Sequence, residues 1–405
     1  MTREQRWHRL RADLLCLALA SVAVLLGLVG APGAAAPDRH TAMRGEWIAT
    51  VQNMDWPTRP GLPVAQQQAE YRRLLDQAVE HRLNAVFVQV RPNADAFWPS
   101  RYEPWSRLLT GTQGRDPGYD PMRFLVDEAH RRGLRFHAWF NPYRIGVSDP
   151  AELVPDHPAR EHPEWTFRYG GKLYYDPGVP AARRFVEDAI MDAVHRYDVD
   201  GVHLDDFFYP YPAGGEQLPD QETFRRYGTG FRTIEDWRRH NTDLLVSELD
   251  GRVHAARPGA RFGISPFGIW RNATSDPAGS NTRGMESYSA IYADTRKWVR
   301  QGWVDYIAPQ LYWQIGHPVA DYAALVPWWS DTVAGSDVDL YIGQAAYKVG
   351  GQGWTDPGEL SAHLSLNRRH PGVDGDIFFR ATSLTTNAAE AMRRVVAEHY
   401  ADSSR

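Results

Sequence analysis

The stretch Asp200-Gly201-Val202-His203-Leu204-Asp205-Asp206-Phe207 reads as a short strand that ends in two carboxylates. Just before it, Ala181–Tyr197 sets Phe185, Val186, Ala189, Ile190, Ala193, Val194 and Tyr197 at helical spacing, the cleanest amphipathic stripe in the chain. A strand turns its side chains alternately to two faces. Val202 and Leu204 share the apolar face, which belongs under helices; Gly201, His203 and Asp205 share the other. In a closed barrel that second face points inward, and Asp205, its last member, stands at the C-terminal mouth. Asp206 has the opposite parity and points to the neighbouring loop, unless the strand has already ended.

The same alternation continues in both directions. Strands are predicted at Arg44–Gln52, Asn84–Arg91, Arg135–Asn141, Gly201–Asp206, Arg261–Phe267, Asp305–Tyr312, Asp339–Ala345 and Asp376–Ala381. Helices are predicted at Ala69–Leu83, Pro121–Arg132 with Gly133 closing it, Ala181–Tyr197, Ile234–Ala256, Ser287–Gln301, Val319–Val333, Pro357–Arg369 and Asn387–Tyr400. Eight strand–helix units argue for an α/β chain folded as one (β/α)8 TIM barrel. The rival, an open doubly wound sheet, lacks its Gly-rich phosphate fingerprint after the first strand. The loops after strands two, three, four and five are long: Pro92–Asp120, Pro142–Pro180, Phe207–Thr233 and Gly268–Glu286. Loops of that length in a compact domain are usually functional, and here they would wall a cleft suited to an oligomer or polymer.

The chain opens differently. Arg3, Arg6, Arg9 and Arg11 precede an apolar run from Leu14 to Val29 and a small-residue site at Ala34-Ala35-Ala36. That is the layout of a secretory signal peptide over residues 1–36, with a barrel domain over 37–405. The run is shorter than the roughly 20 residues a span needs, so no stable membrane span is expected in the mature chain, and the protein is expected outside the cytoplasm. Cys16 is the only cysteine; without the leader no disulfide or thiolate chemistry remains. The net charge of −5 becomes more negative when the four leader arginines go, which makes nucleic acid a poor partner. The 15 Trp and 19 Tyr are many for 405 residues; some rings can stack on sugars, and at least half are expected in the core.

Applied to every strand, the parity test brings polar groups to one mouth. Gln89, Arg91, Asn141, Asp205, Gln310 and Tyr312 form the predicted ring, with Ser265 also inward and Arg380 at the end of strand eight. His137 and His203 lie one layer deeper, where a hydrogen-bonded core role outweighs a catalytic one, although His203 is kept among the candidate substrate contacts. Polar groups inside a barrel cost free energy unless paired, so a satisfied network is the bland alternative. Glycoside cleavage usually needs two carboxyl groups. Asp205 supplies one; Asp206, Asp95, Glu103 and Glu286 remain open as the second, with Asp206 first among them. Trp98, Trp270 and Trp313 are candidate stacking platforms. Neither HxH nor HExxH nor GxSxG occurs where it would matter, so no metal, cofactor or serine nucleophile is expected. The fourth strand is also similar to the chitinase-type strand, but Phe207 stands at the Glu position and His203 at an Asp position. The substrate-assisted chemistry of that type is therefore not supported by the sequence.

Several runs together carry a more specific likeness. Arg44-Gly-Glu-Trp47, Val88-Gln-Val-Arg91-Pro-Asn-Ala-Asp95, His137-Ala-Trp-Phe-Asn141-Pro-Tyr-Arg144, Asp200 to Pro210, Ile264-Ser-Pro-Phe-Gly268 and Ile307-Ala-Pro-Gln310-Leu-Tyr-Trp313 resemble the bacterial glycosyl-hydrolase-like 10 family over residues 43–390. The resemblance implies a TIM barrel and a glycosidase acting on glycan, in some members peptide-stripped peptidoglycan strands. It adds Tyr143 to the candidate substrate contacts. Glu46 departs from the usual apolar residue and becomes another candidate carboxylate if it faces the mouth. Two other classes stay open: a sugar-binding barrel without catalysis, and a hydrolase of an amide or ester bond on a glycan.

Overall fold

The computed structural model describes residues 42–400 apart from residue 352; the leader segment lies outside the described residues. Eight parallel strands close into a barrel. They are β1 (Met43–Ile48), β2 (Ala85–Arg91), β3 (Arg135–Phe140), β4 (Gly201–Leu204), β5 (Arg261–Ile264), β6 (Tyr306–Ile307), β7 (Asp339–Gln344) and β8 (Val373–Phe378). The principal helix after each is α1 (Val64–Glu80), α2 (Pro121–His130), α3 (Pro180–Arg196), α4 (Ile234–Ala256), α5 (Thr295–Gln301), α6 (Tyr322–Val333), α7 (Glu359–Asn367) and α8 (Ala389–His399). The fold is thus the TIM barrel that the alternation predicts. Neighbours around the ring run β1, β8, β7, β6, β5, β4, β3, β2, so β8 faces β4 across the mouth.

Local chemistry sets the helix ends. Asp120 caps α2 by accepting from the Arg123 amide at 3.0 Å, with Pro121 at the first helical position. Thr233 caps α4 through the Asp236 amide at 3.1 Å. The stripe on α3 buries Val186, Ala189, Ile190, Ala193 and Val194 against the sheet. The helix predicted over 287–301 is two pieces, Ser287–Ala290 and Thr295–Gln301, because Asp294 caps the second anew. An antiparallel hairpin, Thr166–Tyr169 with Lys172–Tyr175, sits in the loop after β3; the sequence reading leaves that segment as loop.

The inside of the barrel is filled with rings. Trp47, Phe87, Tyr306, Tyr341 and Ile377 pack there with Met43 and Trp139. Glycines make the room: a Cβ at Gly201 would come within 2.2 Å of the His137 ring, and one at Gly263 within 2.2 Å of the Tyr306 ring. His203 accepts at Nε2 from Trp47 Nε1 at 3.1 Å, which leaves Nδ1–H for the Tyr306 hydroxyl at 3.0 Å. Burial lowers the His203 pKa to about 3, so the ring is neutral. It is a core histidine under the mouth, and its placing among the substrate contacts is corrected accordingly.

Candidate active site

Strand β4 ends at Leu204, one turn of the parity argument earlier than predicted. Both Asp205 and Asp206 therefore lie beyond the ladder, and both line one pocket of about 230 Å³ at the C-terminal mouth. Gln89, Gln310 and Tyr312 line it too, together with Trp47, Ala49, Trp139, Arg144, Phe207 and Phe379. The long segments 92–120, 141–179, 205–233 and 265–294 all leave from this end of the barrel.

Asp205 is held from three sides. Its Oδ2 accepts from Trp139 Nε1 at 3.2 Å and Asn141 Nδ2 at 2.5 Å, and its Oδ1 from the Phe207 amide at 3.0 Å. Gln89 holds Asn141 in turn, donating from Nε2 to Asn141 Oδ1 at 2.5 Å, while its own Oε1 accepts from the Thr50 and Val51 amides. Asp206 accepts from the Tyr211 hydroxyl, and from Gln310 Nε2 at 3.0 Å. Burial first, then the adjacent Asp206 charge, pushes Asp205 up to about 7; Arg144 and the hydrogen bonds pull the other way. Asp206 is also raised by burial, against the opposing pull of Tyr211 and Gln310. Two carboxylates this close in a dry site keep one proton between them more readily than they lose both.

Arg144 is the cation of the pocket. Its Nε and Nη2 donate to the Pro92 carbonyl at 3.1 Å, and its guanidinium carbon lies 5.1 Å from the centre of the Phe207 ring. Around the rim run partly exposed rings: Phe207 against Tyr211 at 5.3 Å, Phe267 edge-on to Trp313 at 5.6 Å, and Phe379 stacked on Tyr312 at 6.0 Å. Trp313, a predicted platform, packs on Phe267 and does not line the pocket, whereas Tyr312 does.

Other predicted contacts sit elsewhere. A β-bulge between Gln89 and Arg91 shifts the register so that Arg91 pairs with Phe140, an outward position. Arg91 accordingly leaves the mouth and pairs with Glu103 at 2.5 and 2.7 Å, both side chains fully buried. Tyr143 is buried in the outer core with its hydroxyl unpartnered. Trp98 offers no face to a sugar: it is fully buried and donates to Asp192 at 2.9 Å. Trp270 is buried against Trp328 and donates to Asp294 at 2.8 Å. Asp95 belongs to a separate small cavity with Asn93 and Arg107, where burial pushes it up to about 7. Glu286 is occupied by the Asn272 amide and side chain at 2.9 and 2.7 Å. Glu46 pairs in register with Val86, on the outward side of β1, and burial raises its pKa well above the carboxylate range. Of the candidate carboxylates only Asp205 and Asp206 line the mouth pocket. The sequence reading passed over Arg144 and Tyr211; Arg144 follows the inward Asn141 by three residues, but Tyr211 carries no periodic signal. Among the described residues no cluster of three or more His, Cys, Asp or Glu could hold a metal ion.

A closed parallel barrel with paired carboxylates at its C-terminal mouth places the chain among the TIM barrels of glycoside-hydrolase architecture. Solved structures share the fold at low identity. The glycoside hydrolase domain of PgaB (BpsB) from Bordetella bronchiseptica aligns with a TM-score of 0.54 and 13% identity, over 87% of this chain and 98% of that one. Alpha-L-fucosidase isoenzyme 2 from Paenibacillus thiaminolyticus aligns at 0.55 and 13%, over 89% and 50%. The chain belongs to the glycosyl hydrolase-like 10 family, whose model matches residues 42–358. Among its relatives, glycosyl hydrolase YngK of Bacillus subtilis (strain 168) is 48% identical over 375 residues, 90% of this chain and 74% of the relative. Glycosyl hydrolase DigH of Escherichia coli (strain K12) is 41% identical over 375 residues, 86% and 85%.

Proposed function

We propose that this protein hydrolyses glycosidic bonds, with peptidoglycan glycan strands or a related bacterial polysaccharide as substrate. The observation that carries the reading is the meeting of Asp205 and Asp206 in one desolvated pocket at the barrel mouth. A carboxyl pushed up to about 7 still holds its proton in about half of the molecules at neutral pH and can give it to a leaving oxygen. Its neighbour, held by Tyr211 and Gln310, is the carboxylate of the pair. The aromatic rim suits the apolar faces of sugar rings. Family membership and the names of YngK and DigH support the same class. The basic and apolar start of the sequence supports export to the cell envelope. Among the described residues no helix is long and apolar enough to cross a membrane. The test is mass spectrometry of purified, peptide-free glycan strands after incubation. New reducing ends with one water added per break are expected; acetate or amine release with the strand intact would replace glycosidase by esterase or amidase, and binding without products would leave a lectin-like barrel.

A further inference from the structure

We infer that the sugar cleaved is an N-acetylhexosaminide whose own 2-acetamido oxygen is the nucleophile, with Asp205 as acid and base and Asp206 as the group that holds the acetamido N–H. This rests on the glycosidase reading above. Two protein carboxyls that divide the work of cleavage flank the scissile bond, one on each side of the anomeric carbon. Here both acids are consecutive residues at the end of β4, so both project from one wall. The strand facing β4 across the mouth is β8, and it brings Phe379; its neighbour β1 brings Trp47 and Ala49. Among the described residues no acid lines the pocket from that side. The nucleophile for the far face must then come with the substrate or from water that no carboxylate there activates. An acetamido group on the adjacent carbon supplies one, and a principal exception to the two-carboxylate rule is chemistry of this kind. The pocket also fits the group: Trp139, Trp47 and Ala49 give an apolar surface for its methyl, and Asp206, fixed by Tyr211 and Gln310, offers an acceptor for its N–H. The sequence alone argues against this chemistry because Phe207 fills the Glu position and His203 an Asp position; the early end of β4 brings Asp206 into the pocket beside Asp205, so the two carboxyls that the chemistry needs come from consecutive residues instead.

The step balances without any further reagent. The acetamido oxygen forms a bond to the anomeric carbon as the glycosidic C–O bond breaks, and its electron pair leaves with the departing oxygen, which takes the proton of Asp205. The cyclic oxazolinium is held through its N–H by the Asp206 carboxylate. Water then adds to the anomeric carbon and gives a proton to Asp205, and the ring C–O bond opens to restore the amide. The product keeps the configuration of the substrate.

The test uses the mature protein and aryl glycosides of an N-acetylglucosamine-terminated oligosaccharide in which the acetamido carries zero, one, two or three fluorines. kcat/KM is expected to fall stepwise with fluorine count, since each weakens the nucleophile. The product anomer by proton NMR is expected to be retained. Asp205→Ala should lose about 10²- to 10⁴-fold on the natural glycan and recover on a dinitrophenyl leaving group that needs no proton; Asp206→Ala should be slow on both. A flat fluorine series, or an inverted product, overturns the inference and leaves the glycosidase reading standing. If no glycan of any kind is cut by the wild-type protein, both fall together.

Discussion

Asp205 is a residue whose environment works against its charge, and that has measurable consequences. Its folded pKa of about 7 lies above the value near 3.9 of an unfolded chain. Folding is therefore penalised by its ionisation: the stability is fully present below about pH 4 and is lost as pH rises through about 7. Asp205→Asn should abolish glycan turnover yet raise Tm, and the gain should grow between pH 4 and 7 and level off above. A Tm difference independent of pH would show that the side chain is not strained in this way. For catalysis the sign is set by the same proton. kcat/KM should fall as pH rises through the Asp205 value, because the acid form is lost. Arg144 lowers that value by its nearby charge, so Arg144→Met should move the basic limb of the pH–rate profile to higher pH; a shift downward, or none, would remove Arg144 from the electrostatics of the pair.

At the scale of elements, what the sequence made legible follows from periodicity. The parity of β4 put His203 inside and Asp205 at the mouth, and that of β3 placed His137 and Asn141 on the inner face; hydrogen bonds tie His137 and His203 together through Tyr306, and hold Asn141, with Trp139, on Asp205. Gln310 kept its inward place although β6 shrinks to Tyr306–Ile307, because single bridges to Phe267 and Gly343 carry the ladder past Pro309. Parity fails wherever a strand stops counting in twos. The bulge in β2 turned Arg91 outward, and the end of β4 turned Asp206 inward. Neither event has a signature in residue type. The Trp98 and Trp270 misplacements have another cause: a loop tryptophan can pack downward as readily as it can face solvent, and each found a carboxylate for its N–H, the buried Asp192 and the half-buried Asp294. The corrected role of Arg91 is structural and can be tested as such. Arg91→Met would leave Glu103 buried without its partner, at a cost of about 3–5 kcal/mol in urea unfolding. The double variant with Glu103→Leu should recover much of that loss; if Arg91→Met is neutral, the pair does not hold the loop after β2.

Seen as a whole molecule, the barrel separates two tasks. Its N-terminal and middle layers are packed with rings and close against helices, so that rigidity is supplied below the mouth. Strand ends and the residues just beyond them, among them Val51 and Met54 after β1, Arg144 after β3, Phe207 after β4 and Tyr312 after β6, then enclose a pocket around two acids fixed at the end of a single strand, and the long segment after β2 does not line it. If the leader works as proposed, protein recovered from the cell envelope or medium should begin just after Ala36 by intact mass, and an N-terminus at Met1 would speak against cleavage. The sharpest check on the carboxylate pair is a crystal structure of the Asp205→Asn protein with a bound glycan oligosaccharide. The glycosidic oxygen should lie within hydrogen-bond reach of residue 205, about 3 Å, with the sugar between Asp206 and the Phe379 wall. An oligosaccharide bound in another place, or with its glycosidic oxygen out of reach of both residues, would contradict catalysis by this pair.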